Sequence, residues 1–267
     1  SRGLGDVYKR QDHAMLRRTM LTLTGALAAS TAISRRAFAQ ETAICYNCPP
    51  EWADWAGQLK AFQQKTGIFV PADDKNSGQA MAAALAERAH PVADAMYLGG
   101  QVGIQAKQDG LTQPYKPAGF DQVPAGQKDP DGYWFAIHSG TLGFFVNKAA
   151  LGGKPVPQSW ADLLKPDYSG MIGYLDPSSA AVGYVGAVAV NLAMGGSYTD
   201  FTPAITYFKK LQANQPIVPK QTAYARVLSG EIPILLDYDF DAYRAKYTDK
   251  APVEFVIPQE GLSLIHI

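Results

Sequence analysis

The residues able to do chemistry fall into three groups. Cys45 and Cys48 form a C-x-x-C followed by Pro49. Dithiol oxidoreductases use this spacing, with the first cysteine activated at a helix N-terminus, whereas in an oxidising compartment it equally serves a local disulfide. Asp237, Asp239 and Asp241 alternate in a second group. They can ligate a cation, accept hydrogen bonds from an amine or a sugar, or solvate a loop, and no D-x-D-x-D-G run accompanies them to favour calcium. In the third group, Ser77-Gly78 and Ser178-Ser179 each stand at the expected start of a helix. Free N–H groups and a hydroxyl there either hold an anionic or strongly polar group or simply cap the helix. Of four histidines, His13 and His266 lie outside the expected mature chain, and His90 and His138 are too few for a His-rich zinc site. Neither has the context of a catalytic triad, and there is no G-x-S-x-G.

An alternation of strand and helix is available to position these groups. Strands are predicted at 43–46, 68–71 and 93–97, with helices over 52–66, 77–89 and 102–109 between and after them. Trp52, Trp55, Leu59 and Phe62 line one stripe of the first helix, and Gly67 ends it. The pattern restarts after residue 148. A short helix is predicted at 160–164, a strand at 171–175, helices over 180–193, 201–212 and 222–228, and a buried strand at 232–236. A loop and helix over 237–247 and a last strand at 253–257 complete it. Between the two runs lie two apolar segments, 133–137 and 142–146, separated by His138-Ser139-Gly140-Thr141. These predict a strand pair that crosses from one α/β unit to the other, with its break at the floor of a cleft. Ligands of open α/β sheets bind beyond the carboxyl ends of the strands. Those ends here are Tyr46-Asn47, 75–79, 98–100, 176–180 and 237–239.

The two ends of the chain read differently. Asp6–Gln11 can be encoded by a DNA string whose reverse complement encodes Leu262–Ile267, as an adaptor joined to both ends of a fragment would do. Residues 1–14 and 262–267 are therefore expected to be mainly adaptor-derived. Met15-Leu16-Arg17-Arg18, an apolar run over 20–29 and Ala37-Phe38-Ala39 predict a secretory leader at 15–39, of the general secretory rather than the twin-arginine type. The remaining 220 or so residues suffice for two small α/β lobes with a proper core. Their charge balance, 24 basic against 24 acidic residues over the whole chain, argues against nucleic acid or an anionic membrane as partner.

One stretch is more specific. Pro157-Gln158-Ser159-Trp160-Ala161-Asp162-Leu163-Leu164, then Pro166-Asp167-Tyr168-Ser169-Gly170, then Asp176-Pro177-Ser178-Ser179 resembles a signature of the extracellular solute-binding proteins of ABC importers. The closest group within that family contains ferric-ion-, phosphonate- and polyamine-binding members. Residues 75–79 and 227–232 also fit, and the resemblance covers 43–261. It implies a two-lobe, periplasmic-binding-protein-like α/β fold with mixed, mainly parallel sheets and two crossing strands, truncated at its C-terminus. Residues 40–138 would form the N-terminal part of lobe 1, 139–247 lobe 2, and 248–261 the return to lobe 1.

The resemblance further implies a monomeric periplasmic receptor, not an enzyme. It would close on a small polar solute bearing a phosphate, carboxylate or amine and deliver it to an ABC permease in the inner membrane, with no cofactor. The expected contacts are Asn47, Ser77, Gly78 and Gly99 from the first lobe, Ser139 and Thr141 at the crossing, and Ser178, Ser179, Asp237 and Tyr238 from the second. Ferric-binding members carry a Tyr-Tyr pair after the G-E-I-P strand. Counting from Gly230-Glu231-Ile232-Pro233, those places hold Phe240 and Asp241. Phe cannot coordinate iron, which leaves a ferric ligand as the alternative rather than the first reading, with Tyr238 and Tyr243 nearby. An exported dithiol oxidoreductase or a secreted enzyme is the rival class.

Overall fold

A computed structural model describes residues 40–260 except 222, together with the backbone of a short strand at 264–266. The leader expected at 15–39 and the adaptor-derived stretch at 1–14 lie outside the described residues. Two sheets organise the rest. The smaller is β1 (Cys45–Tyr46) paired in parallel with β2 (Ala95–Met96). Between them run α1 (Trp55–Thr66) and α2 (Ser77–Ala86), and α3 (Gly100–Gln108) follows β2. Helix α1 stops at Gly67, whose φ of 78° is open to glycine and whose N–H closes on the Gln63 carbonyl at 2.8 Å. Helix α2 starts on a capping box in which Asn76 and Gln79 satisfy each other's backbone N–H. Asn76, not Ser77, is therefore the cap, and Ser77 is the first helical residue. The strand expected at 68–71 is only an isolated bridge between Thr42 and Phe69.

The larger sheet is built on β3 (Ser139–Asn147). Residues 133–137 do not form a strand with it; Phe135 makes one isolated bridge to Lys128. Ser139–Thr141, expected as a break, are thus the start of the strand. After β3 come β4 (Ile172–Gly173), α4 (Ala181–Ala193), α5 (Thr202–Leu211), α6 (Tyr224–Leu228), β5 (Ile234–Tyr238), α7 (Asp239–Tyr243) and β6 (Val253–Val256). The strand order is β4-β5-β3-β6, parallel at β4–β5 and antiparallel on both sides of β3. This sheet is mixed rather than mainly parallel, because its longest strand, β3, pairs antiparallel with both neighbours. At the other end of β3, residues 139–141 pair antiparallel with β7 (Leu264–His266), within the stretch expected to be adaptor-derived.

Alternation along β3 feeds two cores. Phe144 faces Trp160, Leu142 and Ile234, whereas Phe145 faces Tyr224, Val227 and Leu235, and both phenylalanines are fully buried. The Trp160 ring meets Phe144 edge-on at 5.0 Å, so the S-W dipeptide of the sequence signature is a core anchor. Helix α4 packs so closely that a Cβ on Gly183 would collide with the Leu175 carbonyl. Its small residues are what permit that approach.

Candidate functional site

A cavity of about 50 Å³ opens where the small sheet's loops meet the larger sheet's side. Asn47, the residue after β1, lines it with φ 64°, a left-handed conformation that asparagine tolerates better than most residues. Its backbone N–H donates to Asp73 Oδ1 at 2.8 Å, and its side-chain amide donates to the Tyr97 carbonyl at 2.5 Å and reaches Ser77 Oγ at 3.5 Å. Ser77 Oγ accepts the Gly99 N–H at 3.3 Å. One asparagine thus ties together the turn after β1, the start of α2 and the loop before α3.

Three helix N-termini reach this cavity, from α2 at Ser77, α3 at Gly99 and α4 at Ala180 and Ala181. The caps of α3 and α4 are Gly99 and Ala180, which offer no side-chain acceptor to the first N–H groups. The result is a local excess of donors and of positive helix-end potential. Lys75 also lines the cavity, but its ammonium is held by Asp73 at 2.6 Å over the Tyr46 ring.

An aromatic wall closes the other side. Tyr238 lines the cavity, is 1% exposed and has a hydroxyl without a hydrogen-bond partner among the described residues. Burial, then the neighbouring Tyr97 and Asp237, push its phenol pKa up, so it stays a donor at any physiological pH. The Trp52 indole donates to the Tyr97 hydroxyl at 2.8 Å, and that hydroxyl meets His138 Nε2 at 2.7 Å. The hydroxyl oxygen can accept from Trp52 and still either donate to Nε2 or accept from it, so the direction of this bond follows the imidazole tautomer. Burial lowers the His138 pKa, in keeping with a neutral ring, although the Ser139 backbone pulls the other way. Phe240 seals the cluster, edge-on to Trp52 at 5.2 Å and to His138 at 5.1 Å and stacked on Tyr238 at 5.3 Å.

The two sides touch directly. The Gly78 N–H donates to the Ser179 carbonyl at 2.9 Å, and Asn76 Nδ2 donates to the Lys220 carbonyl at 3.0 Å. A Cβ on Gly78 would strike the Ser179 backbone, and one on Gly99 would strike the Ala181 methyl. A cavity of about 50 Å³ is well below the roughly 300–1,000 Å³ of an ordinary ligand site.

Of the ten expected contacts, Asn47, Ser77, Gly99 and Tyr238 line the cavity, and Gly78 and Ser179 form the contact beside it. The other four stand elsewhere. Ser139 lines a separate hollow with His138 and Asp241. The Thr141 N–H donates to Asp239 Oδ1 at 3.1 Å. Ser178 is exposed, with both its N–H and its hydroxyl on Asp176 Oδ1. Asp237, expected in a loop, is inside β5; its Oδ1 accepts the Tyr238 N–H, and strand alternation turns it to the face opposite Tyr238. Trp52, Tyr97 and the α4 terminus at Ala181 were missed by sequence reasoning. Their apolar or backbone character gives no local signal, and His138 lies 41 residues from its Tyr97 partner.

Cys45 and Cys48 are joined as a disulfide. Among the described residues, no group of three or more His, Cys, Asp or Glu could hold a metal, and no helix is long and apolar enough to cross a membrane.

Residues 90–267 match the family of bacterial extracellular solute-binding proteins. A search of curated proteins gives no match. Among solved structures, the periplasmic binding protein AfuA from Actinobacillus pleuropneumoniae, with fructose-6-phosphate bound, superposes with a TM-score of 0.69 at 27% identity over 85% of this chain and 74% of its own. Iron-bound HitA from Pseudomonas aeruginosa gives 0.63 at 23% identity over 85% and 74%. A putative spermidine/putrescine ABC transporter protein from Listeria monocytogenes gives 0.63 at 18% over 85% and 71%. The last two likenesses are to the fold alone.

Proposed function

The chain belongs to the bacterial extracellular solute-binding protein family, and from that premise we propose that it is a periplasmic receptor. It captures a small polar solute carrying an anionic group and passes it to an ABC permease. The observation that carries the reading is the meeting of three helix N-termini, two of them without side-chain caps, at one cavity walled by the unpartnered Tyr238 hydroxyl. A phosphate or carboxylate would find there backbone donors, the Ser77 hydroxyl and the phenol.

Asn47, Ser77, Gly99 and Tyr238 are the contacts retained from sequence. Gly78 and Ser179 part to admit the solute and close beside it. Each side alone offers only part of the donor set, so affinity arises on closure, which is the logic of a hinged two-lobe receptor. The lobes are assigned to 40–138 with 248–261 and to 139–247. The protein works as an exported monomer after removal of the 15–39 leader by the general secretory route.

The test is a thermal-shift screen of the mature protein against phosphorylated sugars, phosphonates, carboxylates, amino acids, polyamines and metals. One anionic class should raise Tm by several degrees through mass action. Absence of any shift would overturn the receptor reading. A ferric ion is the second reading, favoured by the two phenols Tyr97 and Tyr238 at the same cavity. It predicts a visible phenolate-to-iron absorption band on adding ferric citrate, lost in Tyr238→Phe.

A further inference from the structure

We infer that the Cys45–Cys48 disulfide is a positioning device for Asn47, so that solute capture depends on the redox state of the chain. The inference rests on the receptor reading for its effect on binding and on geometry alone for its effect on Asn47. Asn47 lies inside the four-residue ring that the disulfide closes. It holds a left-handed φ of 64°, and in that conformation it makes its hydrogen bonds to Asp73, Tyr97 and Ser77. Apart from those hydrogen bonds, the backbone on either side of it is held by short pairings. The strand before it is two residues long, and the residue after it makes a single long bridge, the Asp73 N–H to the Cys48 carbonyl at 3.4 Å. Cross-linking Cys45 to Cys48 removes the extended alternatives open to the intervening residues.

The loop is also too short to act mainly on global stability, because the stabilisation that a disulfide gives through the unfolded chain grows with the length it closes. Its effect is local, at the cleft.

The two sulfurs differ in access. Cys48 is fully buried in the core beside Trp52 and Tyr97, whereas Cys45 is only partly buried and lines a hollow of about 1,100 Å³ with Met96 and Leu98. A small dithiol reductant therefore attacks Cys45 Sγ. The S–S bond breaks, and Cys48 leaves as a thiolate and takes up a proton. The second thiol of the reductant then attacks the mixed disulfide and releases Cys45 as a thiol. The protein gains two electrons and two protons, and the reductant leaves as its own disulfide. Asn47 is freed to relax from the left-handed region, and the three segments it joins lose their common tie.

The experiment compares the oxidised protein, the protein reduced with dithiothreitol and a Cys45→Ser, Cys48→Ser variant. Hydrogen exchange is followed at the Asn47 and Gly99 amides, and fructose-6-phosphate is titrated as the probe by calorimetry. In the reduced and serine forms, Asn47 and Gly99 should exchange at least about tenfold faster, while β3 and β5 keep their protection. The dissociation constant for the probe should rise roughly tenfold, as the loss of one or two buried hydrogen bonds implies, with Tm changed by only a few degrees. Equal exchange at Asn47 in all three forms would overturn the positioning role. Failure of the oxidised protein to bind the probe would bear on the receptor reading instead, and exchange would still decide the role of the disulfide.

Discussion

Asp237 and Asp241 should make part of this protein's stability fall as pH rises, the reverse of ordinary acid denaturation. Both are buried, and three of their four carboxyl oxygens have no hydrogen-bond partner among the described residues. Burial moves the Asp237 carboxyl from 3.8 up to about 7, with the Tyr238 N–H opposing. Burial, then Asp237, raises Asp241 well above 3.8; the Ala53 backbone and Arg244 oppose, and Glu51 adds to the rise. An acid whose folded pKa lies above its unfolded value keeps its proton in the folded state after the unfolded chain has released it. The folded state is therefore progressively disfavoured across the window from 3.8 to about 7. Each pH unit in that window is worth about 1.4 kcal/mol, so the two carboxyls, which titrate as a pair, cost on the order of a few kcal/mol by neutral pH. Against a usual total of about 5–15 kcal/mol that is a large share. Asp237→Asn keeps the shape and removes the titration. Urea denaturation of both proteins from about pH 5 to about pH 8 should show the variant gaining on the wild type as pH rises, then levelling off. Carboxylates held low, such as Asp162 at about 2 beside Lys165, lose their stabilising contribution only as pH falls below the ordinary carboxylate range. They are common to both proteins and cancel in the difference. A difference that stays flat within about 0.5 kcal/mol across the range would refute the reasoning.

Three further outcomes are expected. Tyr238→Phe should leave stability unchanged or raise it by up to about 1 kcal/mol, since its hydroxyl has no partner among the described residues, while weakening solute binding roughly tenfold by calorimetry. Gly183→Ala should destabilise by about 1–3 kcal/mol in urea, because the new methyl meets the Leu175 carbonyl; a neutral result would mean that α4 can shift away from Leu175 at no cost. Gly78→Val should hold the two sides apart at Ser179, lowering solute affinity with the circular dichroism spectrum unchanged. Retained affinity would show that the Gly78–Ser179 contact is not part of closure.

Helices were the most legible part of the chain. Capping and period-3.6 stripes are local signals, and 52–66 ended at Gly67 as its left-handed φ requires. Strands fared less well where pairing decides them. Residues 133–137 carry an apolar run as convincing as 142–146, but only the latter is flanked by partners on both sides, β5 and β6. Residues 68–71 are similar, left with a single bridge. Asp237 and Tyr238 looked like loop because they are polar, yet they extend β5, with Leu142 and Gly143 opposite them. The serine at the second helix start was misplaced by two residues. Asp176 accepts the Ser179 and Ala180 N–H groups on its carbonyl and holds Ser178 with its carboxylate, leaving Ala180 as the cap.

The sequence by itself settled the family, through the P-x-S-W-x-D-L-L run, and the alternating α/β order, because motif and periodicity are written residue by residue. It also marked Asn47, Ser77, Gly99 and Tyr238, since each follows or ends a recognisable strand or begins a helix. Only the tertiary structure decided which polar groups share a space. It turned Tyr238 toward the cavity and Asp237 away from it by the pleat of a single strand. It joined Trp52, Tyr97 and His138 into one hydrogen-bonded chain across separations of 45 and 41 residues. It also placed Asn47 within the disulfide ring in a left-handed turn, where its side chain reaches three segments. Such pairings depend on how two sheets are laid against each other, and no local pattern encodes that.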